Sequence, residues 1–155
     1  MGTLLQSCLV LHITGIVLLA GTIFGNYIIS RKFWSYIKVD KGRAMVVHSV
    51  ALTLGRITGI GGAVILLTGI GMVAILHGAV GAQLWFRVKM ILVLLIILNL
   101  LLFARPQNRK LKKILSAGDH INNELGTIRP RMDLYYMIQL ILLFSIFVLS
   151  VFRFA

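Results

Sequence analysis

The fold is decided by residues 4–29, LLQSCLVLHITGIVLLAGTIFGNYII, a stretch without a single Asp, Glu, Lys or Arg. A helix of about 20 apolar residues crosses the roughly 30 Å hydrocarbon core of a bilayer. Residues 46–76, 84–104 and 134–151 are also apolar and long enough to cross. Because backbone polar groups in lipid must bond within the protein, we predict one all-α domain over residues 1–155. It is a polytopic membrane protein built as a four-helix transmembrane bundle.

The distribution of charge predicts how the helices are oriented. The net charge is +12, and most of the basic residues lie in two connections, residues 31–45 and 105–133. Lys and Arg accumulate in cytoplasmic loops, so we predict that both connections are cytoplasmic and that both termini lie outside. This pattern explains the positive charge without a nucleic-acid partner. It indicates a multi-pass protein of the bacterial inner membrane, in contact with the lipid bilayer.

Small, aromatic and proline residues predict details of the helices. Gly21 with Gly25, and Gly55 with Gly59, have the four-residue spacing that lets helix backbones approach closely. The alternative is that these glycines leave room for a flat cofactor. Trp34 lies among basic residues and is expected in an aromatic belt at the headgroups. Pro106 and the charges after it are expected to end the third membrane segment.

Ionisable side chains inside the spans are functional candidates, because each costs free energy in lipid unless it is paired or hydrated. With a rise of 1.5 Å per residue, His12 lies roughly 10 Å to the outer side of the midplane and Lys89 roughly 7 Å to the same side. Arg56 lies roughly 8 Å to the inner side. His48 is near the inner end of the second span, so no second histidine shares the depth of His12, and a bis-histidine haem is not predicted. His77 and His120 are expected at the surface.

Each of these residues has two interpretations. His12 either forms a hydrogen bond to a neighbouring helix, through Thr14 or a carbonyl, or ligates haem iron through its imidazole. Lys89 either completes that site or extends to the outer interface. Arg56 has no acid in any span and would suit a porphyrin propionate, a quinone oxygen or a lipid phosphate. His48 is either an interfacial residue or a contact to a propionate or a second metal.

A family resemblance covers nearly the whole chain in order. Residues 12–33, HITGIVLLAGTIFGNYIISRKF, a glycine-rich second helix and residues 84–105, LWFRVKMILVLLIILNLLLFAR, resemble HemJ-type protoporphyrinogen oxidases and CopD-like membrane proteins. In the HemJ type, a first-helix histidine and a third-helix lysine after a tryptophan are the functional pair, and b-type haem is bound. His12 and Lys89 match these two positions. The resemblance therefore implies haem b and catalytic roles for both residues.

The function expected from the sequence is a membrane haem b protein with a redox role. Its substrate would be lipophilic, a quinol or a porphyrinogen, and His12 would be the metal ligand. Arg56, Lys89 and His48 complete the predicted cofactor site. The alternatives are a non-enzymatic membrane subunit or assembly partner, in a homo-oligomer or with another membrane protein, and a CopD-like transporter of a metal or small solute.

Overall fold

A computed structural model of the chain describes residues 2–76, 83–117 and 122–152, and their side chains except at 115–117 and 122–124. His77, His120 and most of the predicted outer connection, residues 77–83, lie outside this part of the chain. The described elements are all helical. They are α1 (Gly2–Tyr36), α2 (Lys41–Ile75), α3 (Leu84–Asn99), a π-helical turn (Leu100–Ala104), α4 (Arg105–Ala117) and α5 (Asn122–Val151).

The predicted fold class is confirmed by the lengths of these helices. Four helical segments of the described chain are long and apolar enough to cross a membrane, and they are Gly2–Tyr36, Lys41–Ile75, Leu84–Ile114 and Leu125–Val151. The protein is thus an all-α, multi-pass membrane protein. Its chain forms two units, one ending at Arg87 and one beginning at Val88, and each is described on its own.

The first unit is a helical hairpin whose helices extend well beyond the apolar spans. The sequence predicts a loop over residues 31–45, but α1 continues to Tyr36 and α2 begins at Lys41. Asp40 caps α2, since its side chain accepts a hydrogen bond from the Arg43 N–H at 3.0 Å. Hydropathy marks the part of a helix that lipid covers, whereas backbone hydrogen bonding continues into the polar residues. The boundary of a span is therefore not the end of the helix.

The third helix also continues where the sequence predicts a stop. Proline lacks an N–H, and its ring clashes with the carbonyl four residues earlier. Here the π-helical turn precedes Pro106, and the Arg105 N–H bonds to the Leu100 carbonyl, five residues back. The extra residue in this turn accommodates the proline ring, so the helix runs on through Pro106 to Ala117. The helix thus does not end at Pro106, and the expectation that the membrane segment ends there stays a prediction.

Helix α5 begins at Asn122, twelve residues before the predicted span, and contains Pro130. In the second unit α5 packs on the π-helical turn and on α4. Leu111 and Ile114 of α4 are buried, as are Ile128 and Met132 near the start of α5. Most of the predicted connection 105–133 is therefore a helical extension of two membrane segments. Its basic residues stay exposed, among them Arg109 and Lys112.

In the first unit, α1 and α2 run antiparallel and meet at two glycines. A Cβ on Gly61 would lie 3.1 Å from the Gly15 carbonyl oxygen and 3.1 Å from the Leu19 nitrogen. A Cβ on Gly15 would lie 3.1 Å from the Gly61 oxygen and 2.9 Å from a side-chain carbon of Ile65. The helices are thus in direct backbone contact, which only glycine permits at these positions.

The glycines singled out by their spacing are not at this contact. A Cβ on Gly21, Gly55 or Gly59 would meet no atom within 4 Å, and a Cβ on Gly25 would meet only a side-chain carbon of Leu54, at 3.6 Å. The spacing identified close approach as a property of these helices, but the α1–α2 contact uses other glycines. Neighbouring residues on a helix differ by about 100° in direction, so a spacing pattern alone does not say which helix face is covered.

Trp34 also differs from its prediction. It is 7% exposed and packs edge-on against Phe33, with ring centroids 5.1 Å apart. Most of its side chain is inside the protein, so it does not act as an exposed member of an aromatic belt.

We predict that Gly61→Val destabilises the purified protein by about 1–3 kcal/mol, because the new methyl groups would overlap the α1 backbone. The matched control is Gly59→Val, on the same helix but with open space around it. Thermal unfolding in detergent should show a clear decrease in Tm for the first variant only. Equal decreases for both would show that Gly61 is not the closest contact.

Candidate functional site

His12 is held by a hydrogen bond across the hairpin. Its Nδ1 lies 2.8 Å from Thr68 Oγ1 on α2. The Thr68 hydroxyl donates its proton to the backbone carbonyl of Val64 at 2.6 Å, so towards the imidazole it acts as the acceptor. We therefore assign the proton to Nδ1, which is the tautomer with the ring lone pair on Nε2. A histidine fixed in this way has the tautomer that ligates metals or accepts protons through Nε2.

The His12 ring lies beside a glycine and is partly exposed. The ring is half-buried, and a Cβ on Gly69 would lie 3.6 Å from its Cε1 atom. Thr14, the partner considered from the sequence, donates instead to the Val10 carbonyl of its own helix at 2.9 Å. A bond from His12 to the neighbouring helix is thus present, with a different partner. It is compatible with iron ligation through Nε2, which stays a prediction.

A line of further polar residues follows the α1–α2 contact towards the connection between the two helices. Thr58 donates a hydrogen bond to the hydroxyl of Thr22 at 2.8 Å, and both residues are 8% exposed. Beyond them Asn26 and Ser30 are buried at the same contact. Such interhelical bonds between hydroxyls contribute modestly to membrane helix association.

His48 lies at the far end of this line. It is 8% exposed, and its ring centroid is 5.8 Å from that of Phe33. His48 precedes Thr68 by 20 positions on α2, which is about 30 Å along the helix axis. The structure therefore does not bring His12 and His48 together, in agreement with the prediction that they do not share one haem. Burial beside Phe33 also means that His48 packs between helices rather than at an open interface.

Two buried polar atoms of α1, in the half that leads to α2, have no hydrogen-bond partner among the described residues. They are Asn26 Oδ1 and Trp34 Nε1. An unpaired polar atom in a protein interior costs free energy. Hydrogen bonding is therefore less complete in this part of the hairpin than around His12. No role for Asn26 is predicted from the sequence.

Arg56 lies on an exposed part of α2. It precedes Thr68 by 12 positions, which is about 18 Å along the helix axis. Neither ion pair found in the described chain involves it, since these join Asp40 to Arg43 and Arg129 to Asp133. Arg56 is thus in a separate layer from His12 and has no carboxylate beside it among the residues that the structure describes.

Lys89 is anchored within the second unit. Its ammonium donates a hydrogen bond to Ser150 Oγ on α5 at 3.0 Å, and Ser150 in turn donates to the Ile146 carbonyl at 2.7 Å. Lys89 is half-buried, so this contact fixes a positive charge beside α5. His12 belongs to the other unit, and their common depth stays a prediction.

The best-buried polar contact of the second unit is one that the sequence did not predict. Asn99 donates through Nδ2 to Gln139 Oε1 at 2.8 Å and to the Tyr135 carbonyl at 3.2 Å. Gln139 is only 2% exposed. Asn99 is the last residue before the π-helical turn, and its Oδ1 has no partner within the described chain. An asparagine inside an apolar run was the available signal, since polar groups in lipid need partners.

The described residues contain no group of three or more His, Cys, Asp or Glu side chains that could hold a metal ion. A protein cage for a bare metal ion is thus not found in this part of the chain. A metal held mainly by a porphyrin needs only one or two protein ligands, and His12 is of the type that supplies one.

Comparison with known proteins found no matching family model, no similar curated protein and no similar solved structure. The resemblance to HemJ-type and CopD-like proteins therefore stays a prediction from the sequence.

We predict that Asn99→Leu and Gln139→Leu are not additive. Each single change leaves a buried amide without its partner, which costs about 1–3 kcal/mol, whereas the double variant removes both amides and recovers part of that loss. Denaturant unfolding in detergent measures the coupling, expected at about 1 kcal/mol. Ser145→Ala is the control, because within the described chain Ser145 donates to the Ile141 carbonyl of its own helix. Additive losses would contradict this prediction.

Proposed function

We propose that the protein is an integral membrane haem b protein with a redox role, and that His12 is its axial ligand. The supporting observation is the hydrogen bond from His12 Nδ1 to Thr68. This bond orients the ring, and in the tautomer assigned above Nε2 is the nitrogen that would ligate iron. Ligating histidines are typically held in this way through their other nitrogen.

The packing around His12 limits where a porphyrin could lie. Gly15 and Gly61 bring the backbones of α1 and α2 into contact about one helical turn from His12, so there is no space for a flat macrocycle between these helices. A haem ligand at His12 would have to approach from the open side of the hairpin. The half-buried state of the ring is consistent with such an approach.

The residues of the chain supply position and charge, and bound haem would supply one-electron chemistry. Thr68 holds the imidazole and its proton. In the second unit Lys89 is held by Ser150, and its catalytic role stays a prediction. His48 and Arg56 lie in other layers of α2, so we assign neither to the iron site of His12.

The proposed substrate is lipophilic, a quinol or a porphyrinogen. The described chain outside the four spans consists of helical extensions and short connections, and it shows no separate domain that would bind a water-soluble substrate. Access to His12 would then be sideways from the lipid. We further propose the bacterial inner membrane as the location, with the basic connections in the cytoplasm, on the basis of charge.

The first test is the absorption spectrum of the detergent-purified protein, oxidised by air and then reduced by dithionite. We expect a Soret band in the wild type that is lost in His12→Ala. The matched control is His48→Ala, which removes the other described histidine and should keep the band. Thr68→Val should retain haem but raise the reduction potential and weaken the affinity measurably, because an imidazole whose Nδ1–H has lost its acceptor is a weaker donor to iron.

Two outcomes would overturn this proposal. A wild type that stays colourless after haem is added would show that the protein does not bind haem. The membrane-subunit or transporter function would then be favoured. A Soret band that survives in His12→Ala but disappears in His48→Ala would move the ligand to the cytoplasmic end of the hairpin.

A further inference from the structure

Arginines mark the level at which two helices of the second unit leave their apolar runs. The run of the third helix ends at Ala104, and Arg105 and Arg109 follow it by one and five positions. The run of α5 begins at Leu134, and Arg131 precedes it by three positions. At 1.5 Å per residue, all three lie within about 8 Å of an apolar run. The headgroup layer is about 5–8 Å thick on each side of a bilayer, so these arginines lie at the level of the lipid phosphates.

The packing of the second unit places these three arginines at one end of the helix pair. Asn99 of the third helix bonds to Gln139 of α5, and α4 packs on α5. Arg105 and Arg109 follow Asn99 by about 9 and 15 Å along the helix axis. Arg131 precedes Gln139 by about 12 Å on the antiparallel helix. The arginine cluster, defined here as Arg105, Arg109 and Arg131, is therefore a single layer, and its side chains are exposed.

On α4 the arginines lie opposite the face that packs against the protein. Gln107, Leu111 and Ile114 form the buried face. Successive residues of a helix are rotated by about 100°, so Arg105 and Arg109 both lie about 160° away from Gln107. Their guanidinium groups are thus carried on the side of α4 that is turned away from α5.

The acidic residues of the chain are too few to neutralise this region. Residues 105–133 contain seven Lys and Arg and three Asp and Glu. At least four cations therefore stay in excess even if each of these acidic residues pairs with one. The fourth acidic residue of the chain, Asp40, is paired with Arg43. A second copy of the chain would bring the same excess, so charge complementarity points to an anion from outside the protein.

We propose that the arginine cluster binds the phosphate group of an anionic phospholipid of the phosphatidylglycerol type. The planar guanidinium fork matches two phosphate oxygens better than a lysine ammonium does, and the cations nearest to both apolar runs are arginines. A nucleic acid or a soluble acidic protein would meet the outer part of α4, where the lysines lie, whereas the cluster lies at the level of the phosphates. The proposal is independent of haem binding at His12, which belongs to the other unit.

The experiment measures lipid enrichment at the cluster itself. The full chain carries Cys8→Ser and Leu102→Cys, so that one fluorophore is attached at an exposed position about one helical turn from Arg105. It is reconstituted in phosphatidylcholine vesicles that contain a small fraction of nitroxide-labelled phosphatidylglycerol or nitroxide-labelled phosphatidylcholine. We expect labelled phosphatidylglycerol to be enriched about fivefold at the fluorophore, as measured by quenching. Replacing the three arginines of the cluster by glutamine should remove this preference.

A matched control separates the cluster from the overall charge. Replacing Lys110, Lys112 and Lys113 by glutamine also removes three exposed charges, but further from the apolar run, and should keep most of the preference. Replacing the three arginines by lysine keeps the charge without the planar fork, and should reduce the preference at least by about half. All these side chains are exposed, so the Tm in detergent should stay unchanged.

Equal quenching of the wild type by the two labelled lipids would overturn the proposal. Equal losses in the two glutamine variants, or a full preference in the arginine-to-lysine variant, would do the same, because binding would then reflect overall charge. Displacement of the labelled lipid by inorganic phosphate at constant ionic strength would also contradict it, since the cluster would then be a site for soluble phosphate.

Discussion

The contact between Gly15 and Gly61 is the constraint on which the rest of the first unit depends. In lipid there is little hydrophobic driving force between helices, so close packing and interhelical hydrogen bonds hold them together. Each of these glycines lies where a Cβ would meet the other helix's backbone oxygen at 3.1 Å. This contact fixes the register of α1 against α2, and the register in turn decides which polar side chains meet.

That register pairs several of the polar side chains at the contact. It places His12 opposite Thr68 and Thr22 opposite Thr58, with hydrogen bonds of 2.8 Å in both pairs. In each pair a threonine hydroxyl that is already bonded to its own backbone acts as an acceptor for the other helix. The energetic cost of polar groups in lipid is thereby reduced without a charged residue in the contact. The orientation of His12 is a consequence of this arrangement, since a shift of one helical turn would place another side chain opposite Thr68.

The fold class could be predicted from the sequence because it depends mainly on composition. Long apolar segments insert into a bilayer as helices. Four apolar runs specify four membrane helices, whatever their exact neighbours. The sequence also predicted that His12, Arg56 and His48 occupy different depths, because the helical rise converts sequence separation into distance. It did not predict the partner of His12, the Asn99–Gln139 contact or the continuation of the helix through Pro106. Each of these depends on the rotation of one helix relative to another, or on a local change of hydrogen bonding, and hydropathy contains neither.

The glycines of α2 show why rotation matters for function. Gly61 is buried against α1, whereas Gly55 and Gly59 are exposed beside Arg56. The spacing rule finds Gly55 and Gly59 because it requires only two small residues on one face, but the face already used by α1 is a different one. Within the described hairpin, two small-residue surfaces therefore coexist on α2, and one of them is joined to an unneutralised charge. A glycine pair that the fold of its own hairpin does not use, and an arginine whose charge that fold does not neutralise, lie on the same face.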